Sequence, residues 1–117
     1  MNESILNSIK KLLGIHNDDK AFDTDIIIHI NTVLNTLTQL GIGPEEGFTI
    51  ADDKAIWTDF IKDSKKYDMI KTYIYLRVRL LFDPPLNSSV LESMKQTITE
   101  YEWRINVQYE NDKEVLE

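Results

Sequence analysis

The stretch from Tyr67 to Phe82 is apolar almost all the way round, through Met69, Ile70, Tyr73, Ile74, Tyr75, Leu76, Val78, Leu80, Leu81 and Phe82. A helix with no polar face to offer water belongs at the centre of a bundle. Asp83-Pro84-Pro85 ends it, because the residue before a proline disfavours helical geometry. Arg77 and Arg79 are the exceptions within the run. Each needs a carboxylate partner or must extend its head to the surface. With 117 residues the chain has length for one core and not two. Whatever else folds must therefore pack around this helix.

Helical spacing recurs on both sides of it. Ile5, Ile9, Leu12 and Leu13 suit a helix over 3–13, stopped by Gly14. The second helix starts at an Asp23 or Thr24 cap and ends at Gly41. Its stripe is Ile26, Ile30, Val33, Leu37 and Leu40, widened by Ile27 and Leu34. Its other face is His29, Asn31, Thr32, Asn35, Thr36, Thr38 and Gln39, and no Lys or Arg occurs in it. An uncharged polar face is buried more cheaply than an ionic one, so it suits either another subunit or a Thr/Asn-rich exposed surface. Residues 41–53 form a long loop holding three of the four glycines, with Phe48-Thr49-Ile50 as a short strand or an apolar plug. Asp52 and Asp53 cap a short helix over 54–61 that buries Ile56, Trp57, Phe60 and Ile61.

The last helix begins near Ser88 or Ser89, and Ser89 with Glu92 has capping-box spacing. Leu91, Met94, Ile98, Tyr101 and Ile105 form its stripe. From Tyr101 to Tyr109 the pattern shifts to alternation, a period of two that marks an extended strand. The reading is helix to about Ile105 and an extended or conditionally structured segment beyond. The fold class is all-α, a small bundle of four or five helices. Residues 1–108 form one helical domain and 109–117 an acidic tail.

Charge narrows the function. The net charge is −7, which disfavours a free-standing DNA-binding domain. From Lys62 to Arg79 six basic residues meet two acidic ones, a net of +4, so the remainder carries −11. This segment is either a solvated face with internal ion pairs or a docking patch. Signs separated along the chain suit head-to-tail packing of subunits. Apolar runs are only a few residues long, too short to span a bilayer, and the start lacks the pattern of a secretory signal. Without cysteine there is no disulfide, thiolate nucleophile or cysteine-based metal site. His16 and His29 fit no zinc spacing. The adjacent carboxylates at Asp18-Asp19, Glu45-Glu46 and Asp52-Asp53 need no catalytic explanation, since caps and solubility account for them. Gly41-Ile42-Gly43 follows a helix and not a strand, the wrong context for a phosphate loop. The residues indicate no enzyme, cofactor or metal.

Four blocks occur in a familiar order: QLGIGPEEGFTI, the Trp57-to-Phe60 helix, YIYLRVRLLFDPP from Tyr73 to Pro85, and EYEWRINVQ from Glu100 to Gln108. Together they resemble the head–tail connector, or adaptor, proteins of tailed bacteriophages. The resemblance covers nearly the whole chain and contains no catalytic motif. It implies a small helical bundle that assembles as a ring on the portal protein, following the portal's twelvefold symmetry. Such a ring extends the DNA channel and offers a surface to the next head-completion or tail protein. It implies a place in the virion at the head–tail interface, reached from the host cytoplasm, with the genome passing through unbound. An acidic protein suits that channel, since a basic wall would hold DNA through counterion release.

The resemblance and the pattern together single out Trp103, Ile105, Val107, Tyr109, Arg77, Arg79, Asn31 and Asn35 as candidate portal or subunit contacts. The period-two segment would add as a strand to an edge of the portal, with Trp103, Ile105 and Val107 filling pockets. The plainer alternative packs Trp103 on its own domain. Two other functions compete. An inhibitor or DNA mimic would gather its carboxylates on one face, whereas these are scattered. A helix-turn-helix regulator needs a polar, basic recognition helix, and the helix ending at Phe82 is too apolar.

Overall fold

The computed structural model describes the backbone of residues 2–62 and 64–116 and the side chains of 2–62 and 65–107. Five helices follow in order: α1 (Ile5–Leu12), α2 (Asp23–Gln39), α3 (Trp57–Phe60), α4 (Ser64–Phe82) and α5 (Ser88–Leu116). Among the described residues the sole β-pairing is an isolated bridge between Ser4 and Ile56. The all-α bundle expected from the sequence is present, with α4 at its centre, packed against α1, α2 and α5.

Local chemistry sets the helix ends. The Ser4 hydroxyl accepts from the Asn7 amide at 3.1 Å and starts α1. Gly41 closes α2 with a left-handed φ of 87°. That turn lets the Ile42 amide reach the Leu37 carbonyl at 2.9 Å, satisfying a carbonyl the helix leaves open. Asp23 is not the cap of α2. Phe22 occupies that position, and the Asp23 carboxylate lies 2.7 Å from Lys10 Nζ instead. The partner across the core outweighs a local cap.

The third helix is shorter than expected. Asp52 accepts from the Lys54 amide, a local turn that delays the helix, and Asp59 accepts from the Ile56 amide at 3.0 Å to start it. Ile61 is extended, so only Trp57–Phe60 is helical. Trp57 and Phe60 are buried, and Trp57 Nε1 donates to Ser8 Oγ at 3.1 Å. Phe48-Thr49-Ile50 forms the plug and not the strand: Ile50 is buried and Phe48 packs on Phe60 with ring centroids 5.3 Å apart. Gly43 is required there, since a Cβ would sit 2.4 Å from the Phe60 ring.

The largest correction is at the C-terminus, where the chain is not extended. Asn87 and not Ser89 caps α5, accepting from the Ser89 and Val90 amides. The helix then runs unbroken through the alternating segment to Leu116. No Gly or Pro follows Pro85 to interrupt it. Met94, Ile98 and Ile105 bury one face on the bundle at helical spacing, a contact that period two cannot satisfy.

Phe82 and Tyr73 show how the layers are ordered. They are nine residues apart on α4, about two and a half turns, and so face opposite sides. The Phe82 ring meets Phe22 at 5.5 Å and His29 at 6.4 Å, on the α2 side. The Tyr73 hydroxyl meets Glu102 of α5 at 2.9 Å. The molecule is therefore a slab of 46 × 36 × 20 Å with α2 along one edge and α5 along the other.

Candidate assembly interface

The α5 edge begins with its core stripe. Trp103 is nine residues from Met94, about two and a half turns, so it stands on the face pointing away from the bundle. It is 66% exposed. Gln96, Thr99 and Asn106 share that exposed face with Glu92 and Glu100, and Glu100 pairs with Arg104 beside it. Ile105, by contrast, is fully buried and belongs to the core. Val107 is half-buried, and the side chain of Tyr109 lies outside the described residues. The helix thus separates Trp103, Ile105 and Val107, which a strand would have placed on one face.

A polar cluster ties α5 to the centre. Glu102 Oε2 accepts from the Tyr73 hydroxyl at 2.9 Å and from Arg77 Nη1 at 3.1 Å. Arg77 also donates to the Tyr73 oxygen at 3.3 Å and lies over its ring. Burial, together with the bond to Glu102, pushes the Tyr73 phenol well above its ordinary value, so it remains a donor. The carboxylate that Arg77 required is therefore Glu102. Arg79 donates to the Tyr75 hydroxyl at 3.2 Å. Both arginines thus take part in contacts within the chain.

On the α2 edge the two asparagines part company. Asn31 clamps the long loop: its Nδ2 donates to the Ile50 carbonyl at 3.0 Å, and its Oδ1 accepts from the Ile50 amide at 2.8 Å. Asn35 is exposed on the outer face with Thr32 and Gln39. Ile28, also on that face, is 56% exposed. Beside Asn35 opens a cleft of about 270 Å³ lined by Thr38, Glu46, Gly47, Phe48 and Thr49. A third exposed apolar region lies at the end of the slab, where Phe22, Leu81, Leu86 and Val90 surround the turn from α4 to α5.

The basic segment is partly absorbed inside the chain. Lys71 Nζ lies 2.6 Å from Glu3 Oε1, and the Tyr67 hydroxyl donates to the same oxygen at 2.5 Å. Arg77 pairs with Glu102. Among the described residues no group of three or more His, Asp or Glu side chains is placed to hold a metal, and no helix is long and apolar enough to cross a membrane.

Two outward edges, each bearing a large exposed apolar side chain, are what a subunit needs to be held from both sides. The phage connector protein family matches residues 5–112. The chain belongs to that family. No curated protein and no solved structure matches it. As a phage connector the protein is a structural component of the virion that associates with head or tail parts, and the family is not an enzymatic one.

Of the candidate contact residues the fold leaves Trp103 and Asn35 exposed. The sequence missed Glu102 as the latch, because alternation placed that residue among outward polar positions. The signal available was the demand of Arg77 for a carboxylate, which does not say which one.

Proposed function

We propose that this connector assembles as a ring on the portal vertex, extends the DNA channel and joins the phage head to the tail. The observation that carries this is the family match over residues 5–112, which embraces the bundle and most of α5. The slab shape and an exposed apolar side chain on each edge support side-by-side packing around an axis, and a portal would template as many copies as it has subunits, twelve in the common symmetry.

The grip on the portal belongs to the C-terminal end of α5. Ile105 is the last fully buried residue among the described side chains, yet the helix continues for eleven residues to Leu116. That length is about 16 Å. This end of the helix supplies Val107 and Tyr109, and then an acidic tip, to a neighbouring protein. Docking as a helix in a groove replaces strand addition, because the segment is already helical. The net charge of −7 keeps the channel wall from holding the genome as it passes.

Co-sedimentation with the portal ring from the same genome tests this. Saturable binding near one chain per portal subunit is expected, and a chain ending at Gln108 should stay folded but bind far more weakly. No binding to a competent portal at any salt would overturn the reading in favour of a different phage-encoded interaction protein.

A further inference from the structure

The two edges of the slab match in height as well as in chemistry. The rings of Phe22 and Phe82 are 5.5 Å apart, so α2 starts where α4 ends, and the turn from α4 leads directly into Ser88. α2 and α5 therefore start at the same end of the molecule and run parallel along opposite edges. Trp103 is fifteen residues beyond Ser88, about 22 Å along the axis. Thr38 is fifteen residues beyond Asp23, again about 22 Å, and Asn35 is one turn lower. Two copies standing side by side at one level would thus bring the exposed indole of one to the Asn35 cleft of the next.

The cleft suits that indole. Its volume of about 270 Å³ is enough for one aromatic side chain. Phe48, half-buried, offers an aromatic wall, and Gly47 adds none of its own bulk, with no atom within 4 Å of where a Cβ would be. The indole N–H needs an acceptor once buried, and the lining includes Asn35 and Glu46, whose side chains both carry one. On the socket side no cation is desolvated, since α2 carries no Lys or Arg, and on the knob side Arg104 is already paired with Glu100.

We infer that Trp103 is the knob of a subunit–subunit contact, and that its socket is the cleft beside Asn35 on a second copy of this chain. The contact is heterologous: each copy gives a knob from one edge and a socket from the other, so it propagates until the ring closes. This rests on the ring reading above and names the surfaces that build it.

The chain has no cysteine, which makes a clean test available. Asn106→Cys and Thr49→Cys are placed together in one chain beside the knob and the socket, leaving Trp103 intact. The portal-templated assembly is treated with a short bis-maleimide and run under denaturing conditions. A ladder of cross-linked multimers is expected from the double variant and none beyond dimers from either single one. In parallel, Trp103→Ala should weaken assembly at least tenfold, Trp103→Phe should restore most of it, and both should keep the native circular dichroism. Full portal occupancy without a ladder would overturn the proposal and assign Trp103 to the portal or the next ring. Failure of any chain to occupy the portal, seen by sedimentation before cross-linking, would overturn the ring reading itself and this contact with it.

Discussion

Burying an ammonium costs several kcal/mol unless its protons find acceptors. Lys10 is fully buried, and it meets that condition. It donates to the Asn17 and Asp19 carbonyls at 3.2 and 2.6 Å and makes an ion pair with Asp23 at 2.7 Å. One side chain thereby pins the whole connection between α1 and α2. Lys10→Ala leaves two carbonyls and a carboxylate without their partner, so a loss of about 3 kcal/mol is expected in urea denaturation. A loss under 1 kcal/mol would show that water replaces the ammonium freely. Nothing in the sequence separates Lys10 from Lys11, which is exposed. Only the path of the following loop, through Asn17 and Asp19, makes one of them a core residue. Glu3 is a different case. Bonds from Lys71, then Tyr67, hold its carboxyl at about 2 instead of the ordinary 4.5. The folded state thus favours the charged form. Its stabilising contribution is complete above pH 4.5 and disappears as pH falls towards 2. The melting temperatures of the native chain and Glu3→Gln should differ by a constant amount at neutral pH and converge below pH 3. Parallel curves down to pH 2 would contradict this.

At the scale of elements, α5 differs from the others in what holds it. α1 and α2 share the main core, whereas α5 packs chiefly on α4, through Met94, Ile98, Ile105 and the Glu102 latch. Tyr73→Phe removes one hydroxyl from that latch and should cost about 1 kcal/mol. The same change should speed amide exchange selectively between Ile98 and Val107, measured by mass spectrometry. Uniform exchange across α1 and α2 as well would mean that α5 does not open separately. The sequence displays α4 plainly, because an all-round apolar run has one place to go. It also displays the stops, at Gly41 and Pro84-Pro85. The end of α5 was less legible. Tyr101 to Tyr109 satisfies period two in composition, while Tyr101 and Ile105 also satisfy the helical stripe begun at Met94. Tertiary packing on α4 decides between them, and that contact is remote in sequence. The start of α3 was obscured similarly, since Asp52, Asp53 and Asp59 all have capping chemistry and the chain uses only Asp59 for the helix.

At the scale of the molecule, two tryptophans report on two states. Trp57 is fully buried and Trp103 is largely exposed, so acrylamide should quench about half of the emission in the free chain readily. Loading onto the portal should remove that accessible fraction, and a portal-bound chain whose Trp103 stays quenchable would place it on an outer wall. The candidate site was legible in part for a physical reason: an uncharged helix face is an anomaly of composition that a sequence shows directly, whereas the exposure of Trp103 depends on how α5 packs. The cleft was not, because it depends on Asn31 folding the loop back so that Phe48 lies beside Asn35. The claim on which the rest depends is that copies of this chain form a closed ring coaxial with the portal. Electron cryomicroscopy of the portal mixed with an excess of the chain measures this directly. The expected result is one added layer with a copy per portal subunit, adjacent copies touching along their α2 and α5 edges around an open channel. Isolated copies bound without mutual contact, or density closing the channel, would contradict it.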